Sequence, residues 1–392
     1  MRIGVDACCW GNKRGFGRFT RELLTALLAL DQKNEYLFFV DRQLHNATEF
    51  PERVKKVVVG TKVSPIEAAS ANSQRSLRDI WAMSHEVWRH KIDIFFFPAV
   101  YSYFPILNRT KVVVTLHDVI ADRNSKLIFP NTRSKIFWKM KQNAAIRQAD
   151  RIATVSEYSK QQIMQYFDLP DSKMRIITEA ALPVFRVLPK TNGALDTLAR
   201  HGLPIDARLL LYVGGISPHK NLNTLIDAFA QISSSSEHDD LILVLVGDYK
   251  DDPFFSSYPE LKKQVVELGF EERVIFTGFV SDFDLAYLYN AATMVVLPSF
   301  EEGFGLPAVE AMACGTPVVA SNRGSLPEVL GEVGAFFDPA DAEDIAMAIR
   351  KVLTDDNYRE EMRQNGLVRA STFRWEKAAE DALTIFTELA SV

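Results

Sequence analysis

Cysteine is scarce in this 392-residue chain, which has only three. Cys8 and Cys9 are adjacent and Cys314 lies far along the sequence, so neither a disulfide framework nor a four-ligand zinc pattern can form, and the three read as buried small residues. Also missing is any run of the ~18 to 20 apolar residues that a membrane crossing requires. The opening Met1-Arg2-Ile3-Gly4-Val5-Asp6 reads as a strand rather than a secretion signal, and the expected location is the cytoplasm. A formal charge of −5 argues against general nucleic-acid binding. His85-Glu86 is followed by His90 one residue too late for a zinc-protease helix, and no metal or other cofactor is expected.

One stretch lacks charge of one sign. From Arg123 to Ala149 there is no acid, while Arg123, Lys126, Arg133, Lys135, Lys139, Lys141 and Arg147 are interleaved with Ile128, Phe129, Ile136, Phe137 and Trp138. Cations beside aromatics suit an anionic membrane surface or a lipid-diphosphate acceptor. A solvated helix face over a packed apolar one has the same composition, and both readings stay open.

With 47% hydrophobic and 24% charged residues, the chain has ordinary globular composition and length for two domains. Strand-like runs at 2–6, 36–40, 54–59, 94–97, 111–116 and 151–155 alternate with helical patterns at 16–30, 73–91, 133–148 and 157–167. After a proline-bearing connection, 183–204, the alternation restarts with strands at 208–213, 241–246, 274–277, 294–297 and 317–320 and helices at 222–232, 259–268, 282–290 and 307–314. A last amphipathic run spans 375–389. This is the pattern of α/β, doubly wound parallel sheets, here two Rossmann-like domains. The expected divisions are 1–185, 186–372 and a terminal helix, 373–392. Such folds bind ligands outside the carboxyl ends of their strands, so two of them imply a site in a cleft between facing domains.

The richest stretch is Phe300-Glu301-Glu302-Gly303-Phe304-Gly305-Leu306-Pro307-Ala308-Val309-Glu310, set between two strands. Gly303 and Gly305 let backbone approach a ligand, and a helix beginning near Pro307 aims unpaired N–H groups at it, which favours phosphate. On a single helix Glu302 and Glu310 would be ~12 Å apart, too far for the ~5 to 9.5 Å carboxyl pairs that hydrolyse glycosides. Carboxylates in this frame instead suit hydroxyls beside the phosphates.

A glutamate, seven intervening residues and a second glutamate resemble the signature of the family 4 retaining glycosyltransferases of the GT-B fold. The resemblance implies that Glu302 contacts a donor sugar and Glu310 the ribose of a sugar nucleotide, with the Gly303, Phe304, Gly305 and Leu306 amides near the diphosphate. Val112-Val113-Val114-Thr115-Leu116-His117-Asp118 matches the family's Thr-x-His-Asp pattern, which implies that His117 touches the transferred sugar and Asp118 positions the loop. Gly15-Phe16-Gly17-Arg18 precedes a helical run, and the corresponding family loop lies at the active centre, so Gly15 and Gly17 join the donor-site candidates. Lys220, in a strand-to-helix turn, can neutralise charge growing on a leaving diphosphate. The family often has an arginine where Gly215 stands, and this departure leaves Lys220, with His219, carrying more of that task.

Asp282-Phe283-Asp284 resembles the metal-binding acid pair of other glycosyltransferases, but after Ser281 at a helix start it is better explained as capping. Ser156-Glu157 reads in the same way. The resemblance covers nearly the whole chain and leans toward bacterial mannosyltransferase-like members of polysaccharide assembly. It therefore implies a metal-independent enzyme taking a hexose from a nucleoside-diphosphate sugar, GDP-mannose foremost, to a glycan or lipid-linked glycan. Two other classes fit parts of the pattern. A nucleotide-sugar-binding regulator would keep the fold and lose turnover, for which the Gly215 departure speaks. An NAD-linked oxidoreductase would need a full Gly-x-Gly-x-x-Gly, which the first domain lacks.

Overall fold

The computed structural model describes residues 1–12, 15–63, 76–123, 132–189, 192–249 and 256–391, and these fall into two compact units. The first comprises Met1–Glu179 with Arg374–Val392, and the second Ala180–Phe373, so the chain changes unit at 179/180 rather than 185/186.

In the first unit seven parallel strands, β1 (Arg2–Asp6), β2 (Glu35–Asp41), β3 (Lys55–Val59), β4 (Ile94–Phe97), β5 (Lys111–Thr115), β6 (Arg151–Thr154) and β7 (Met174–Ile176), lie in the order β3-β2-β1-β4-β5-β6-β7. Interior strands of a parallel sheet are covered on both faces and read as continuous apolar runs. Ile94, Phe95, Phe96 and Phe97 accordingly are all at 0% exposure. Because side chains alternate along a strand, Phe95 and Phe97 enter a core with Met83 and Val87 of the Leu77–Trp88 helix and Ala145 and Ile146 of the Thr132–Gln148 helix. Phe96 meets Phe386 of the Trp375–Ala390 helix, which packs along the Gly15–Leu30 helix. Edge strand β3 exposes Lys55 and Lys56, charges that discourage pairing with another chain.

The second unit has six parallel strands, β8 (Arg208–Val213), β9 (Leu241–Val246), β10 (Val274–Gly278), β11 (Met294–Leu297), β12 (Val318–Ser321) and β13 (Ala335–Phe337), ordered β10-β9-β8-β11-β12-β13. Chain order reverses between β8 and β11. Loops leaving the carboxyl ends of those neighbours diverge and open a crevice there.

Two doubly wound parallel sheets are what the alternation predicts. The structure adds β7, β13 and helices Arg42–Ala47, Asn192–Arg200, Leu326–Leu330, Ala342–Thr354 and Asp356–Ala370. Asn192–Arg200 falls inside the stretch expected to be a connection. Gly15 and Gly17 also differ from expectation, because both lie in the first turn of a helix rather than in a loop before it.

Candidate active site

The crevice of the second unit is built by two loops. Gly214-Gly215 follow β8, and a Cβ on Gly214 would sit 2.6 Å from the Tyr212 hydroxyl, so only glycine lets that ring tuck beneath. The same hydroxyl donates to the Gly215 carbonyl at 2.7 Å. Pro218–Lys220 then forms one tight turn, closed by Asn221 in the left-handed conformation at φ 58°. Asn221 is buried, and its amide donates to the carbonyls of Pro298 (3.1 Å) and Pro339 (2.6 Å), tying the β8 loop to the loops after β11 and β13. The Phe300 N–H completes the stitch by donating to the His219 carbonyl at 3.0 Å.

This stitching brings Lys220 Nζ to 2.6 Å from Glu302 Oε1, with the Ser299 hydroxyl donating to the same oxygen at 2.7 Å. Both side chains keep a small opening, at 17% and 16% exposure. Burial is the largest influence on the Glu302 carboxyl and pushes its pKa up, but Lys220, then Ser299 and His219, together outweigh it and hold the group below the ordinary glutamate value. Glu302 is therefore anionic at neutral pH. His219 is pushed down to about 4 by burial and then by the Lys220 charge, with Glu302 opposing, so its imidazole is neutral. Burial, followed by the nearby Glu302 charge, raises the Tyr212 phenol and keeps it protonated as a donor.

Beyond Glu302 the chain enters the Leu306–Ala313 helix through Gly305, at φ 99°. A Cβ there would also lie 2.9 Å from Leu326 Cδ2. Ser325 fixes the approach, its hydroxyl donating to the Phe304 carbonyl (2.7 Å) and its N–H to the Glu302 carbonyl (3.2 Å). Gly303, Phe304, Gly305 and Leu306 are thus a buried, braced turn at a helix N-terminus, with Pro307 in its first positions. Glu310 lies one turn in at 2% exposure, and its Oε2 accepts from the Tyr289 hydroxyl at 2.9 Å. Burial, then the Glu310 charge, pushes the Cys314 thiol up to about 12, leaving it inert.

The other candidates belong to the first unit. His117 follows β5, with Nε2 3.2 Å from the Pro98 carbonyl, Nδ1 3.7 Å from Glu179 Oε1 and the Phe19 ring edge-on at 4.8 Å. A carbonyl can only accept, so Nε2 carries a hydrogen and Nδ1 faces the carboxylate. Asp118 accepts from the Ile120 N–H at 2.9 Å and so shapes the following turn. Gly17 has a packing reason of its own, since a Cβ would collide with the Asn12 carbonyl, whereas one on Gly15 would meet nothing within 4 Å.

In the basic segment Lys126 lies outside the described residues, as do Ile128 and Phe129. Lys141 is not a free surface cation: it donates to the Tyr101 carbonyl at 2.9 Å and sits 4.5 Å over the Trp138 ring. Arg123 bonds Gln162. Arg133 and Lys139 are exposed and Lys135 half-buried on a helix that also exposes Ile136, Phe137 and Met140.

Ser281 caps its helix by accepting from the Asp284 N–H, while Asp284 is engaged by Arg200 and His201. Among the described residues no cluster of three or more His, Cys, Asp or Glu could hold a metal, and no helix is long and apolar enough to cross a membrane. Tyr289, Ser299, Ser325 and Asn221 belong to none of the motifs legible in the sequence. Only Asn221 carried a signal, as a residue tolerant of left-handed backbone just before a helix.

Residues 14–179 match the profile described as Glycosyltransferase Family 4, and residues 196–369 that of Glycosyl transferases group 1. The chain is 34% identical over 279 residues to the Escherichia coli O-antigen chain mannosyltransferase B, covering 70% of each protein. It is 31% identical over 285 residues to the E. coli serotype-specific mannosyltransferase WbdA, covering 71% of this chain but only 34% of WbdA, so it spans about a third of that relative's length. Among solved structures it superimposes on sucrose-phosphate synthase from Thermosynechococcus elongatus with TM-score 0.78, 22% identity and coverage of 100% and 99%. It likewise superimposes on Anabaena HepE in complex with UDP-glucose with TM-score 0.73, 21% identity and coverage of 98% and 99%.

Proposed function

The chain belongs to glycosyltransferase family 4 and has the GT-B fold, and from that premise we propose that it transfers mannose from GDP-mannose, with retention of configuration, to a glycan or lipid-linked glycan in surface polysaccharide assembly. The observation that carries the donor assignment is the Lys220–Glu302 pair, held 2.6 Å apart at the reversal of strand order beside a braced helix N-terminus. The names of the E. coli relatives support mannose, and the UDP-glucose complex of HepE supports a nucleotide sugar.

In this reading the donor diphosphate lies against the Gly303–Leu306 turn and competes with Glu302 for the Lys220 ammonium. Lys220 stabilises the charge that grows as the sugar leaves, and Glu302, released from the pair, accepts from sugar hydroxyls. Glu310 holds the ribose, and His117 is retained from the family resemblance as the candidate contact to the transferred sugar. The departing phosphate oxygen takes the acceptor proton, so no carboxylate nucleophile is used. The neutral His219 contributes its backbone carbonyl to the loop stitch rather than a second cation. The reaction is metal-independent, and the enzyme works in the cytoplasm, with its basic helix against an anionic membrane or the acceptor.

Thermal-shift titration with GDP-mannose, UDP-glucose and ADP-glucose tests the donor, since a ligand bound by the native state alone raises its stability. GDP-mannose is expected to give the largest shift, and a larger shift with another donor would reassign the base and sugar. Nuclear magnetic resonance of the product tests retention. Activity that vanished with EDTA and returned with manganese would overturn metal independence.

A further inference from the structure

The Leu77–Trp88 helix exposes an apolar stripe: Leu77 at 81%, Trp81 at 60% and Trp88 at 54%. At 100° per residue these three fall within a narrow sector, while Asp79, Met83 and Val87 point into the sheet. His85 lies between the tryptophans, stacked on Trp81 at 4.7 Å and tilted 5.7 Å from Trp88, so the stripe is a continuous ring surface. Its borders are basic, with Arg78, Arg89 and Lys91 exposed. The two acids of this helix are engaged. Asp79 is 2% exposed and accepts from the Lys62 N–H, and Glu86 pairs with Arg89 at 3.3 Å.

Tryptophans edged by cations have their best environment at a lipid–water interface, where the ring lies among headgroups and the charge meets anionic lipid. The helix shares its core with the Thr132–Gln148 helix, so both cover the same face of the sheet. That second helix exposes Ile136, Phe137 and Met140 beside Arg133 and Lys139. Two apolar patches of the same positive sign on one face would repel a second copy of themselves and attract an anionic surface. We propose that the Leu77–Trp81–Trp88 stripe is a membrane-docking surface that seats this face of the first unit on an anionic bilayer. The assignment stands apart from the donor chemistry of the second unit.

The test uses the full chain and vesicles of phosphatidylcholine mixed with phosphatidylglycerol, some carrying brominated acyl chains that quench inserted tryptophan. Trp10 and Trp375 are buried and Trp138 is half-buried against Tyr101 and Lys141, so quenching is expected to come mainly from the exposed Trp81 and Trp88 rings. Wild-type protein should float with anionic vesicles at low salt and be quenched. The W81Q/W88Q double variant, altered only at exposed positions, should lose most of the quenching and bind roughly tenfold more weakly, the apolar burial of two rings being removed. R78Q/R89Q should weaken binding several-fold and flatten its salt dependence. Wild-type protein that stays unquenched, or a double variant that binds like wild type, overturns the proposal. So does a concentration-dependent dimer in sedimentation velocity that W81Q/W88Q abolishes, since the stripe would then belong to a second copy. Following GDP-mannose hydrolysis in the same samples separates the outcomes, because its absence in wild type would count against the donor reading alone.

Discussion

Lys220 and Glu302 are each other's counter-ion, and the proposed exchange of Glu302 for a donor diphosphate predicts different fates for the neighbouring acids. Glu302→Ala should lower turnover while leaving GDP binding nearly intact, because GDP has no sugar and Lys220 becomes available to phosphate. Glu310→Ala should weaken GDP binding by ~1.5 to 3 kcal/mol, the worth of a charge-assisted bond to ribose. The Tyr289 hydroxyl complicates Glu310, since removing the carboxylate also orphans a buried donor. Tyr289→Phe is the control: it should cost about 1 kcal/mol of stability and spare GDP affinity. Calorimetry decides, and equal losses of GDP affinity in the two alanine variants would reject the division of roles. Lys220→Ala should reduce kcat more than donor affinity, because diphosphate charge grows in the transition state. A Cβ on Gly215 would make only ordinary contact, 3.7 Å from Ser217 Oγ, so Gly215→Arg should fit and restore part of the lost rate; normal turnover in Lys220→Ala refutes the assignment. His219 makes stability pH-dependent. Its folded pKa of about 4 lies below the ordinary 6.5, so between those values the unfolded chain binds the extra proton. That contribution is complete above 6.5 and is lost as pH falls toward 4. His219→Gln should flatten the slope of unfolding free energy across this window, and an unchanged slope would show that other groups set it.

At the scale of elements, long buried runs were the legible part. β1, β4, β8, β9 and β11 were read with their full bounds because each is a short apolar run between turn residues. β7 and β13 have three residues each, too few to display a period, and only register with a longer neighbour makes them strands. The Asp356–Ala370 helix is mostly polar with a glycine inside, so its contact with the Leu306–Ala313 helix defines it more than its sequence does. Ala342–Thr354 differs: its stripe Ile345, Ala346, Ile349, Val352 and Leu353 and its Asp341 cap are a sequence signal that the expected elements left out. In the candidate site, Glu302 and Glu310 stand out through the spacing of a family motif and Lys220 through its place in a strand-to-helix turn. The bracing by Asn221, Tyr289 and Ser325 does not, since those partners lie 77, 21 and 23 residues from the groups they hold. Glycine was the ambiguous letter. Gly17 looked like a ligand approach and answers to Asn12, whereas Gly305 needs both its φ of 99° and its closeness to Leu326. Gly305→Ala should therefore destabilise the second unit and weaken nucleotide binding, while Gly15→Ala, with open space around it, should stabilise the Gly15–Leu30 helix by ~0.4 to 1 kcal/mol. Thermal unfolding of the two variants checks this, and the same sign of shift in both would contradict it.

The whole molecule is two cores on one chain, and the first is closed by residues from both ends of the sequence. Arg374–Val392 returns to the unit made by Met1–Glu179, burying Ala378, Ala382, Ile385, Phe386 and Leu389 along the Gly15–Leu30 helix and β4. Phe386 is fully buried, with its ring 5.4 Å from Phe96 on the central strand. Phe386→Ala leaves a cavity there and should cost ~3 to 5 kcal/mol, a large share of what holds a domain of this size together. The cost belongs to the first core, although position 386 follows the whole second unit in sequence. If a nucleotide binds as proposed at the Lys220 and Leu306–Ala313 loops, it protects only the core that binds it. Denaturant unfolding of wild type should thus contain a step that GDP shifts and one that it does not, so a single two-state fit should fail. Phe386→Ala should move the GDP-insensitive step to lower denaturant and leave the other in place. If it moved the GDP-sensitive step equally, the two cores would have to unfold as one cooperative body, and the terminal helix would stabilise the donor site as well as the sheet it covers.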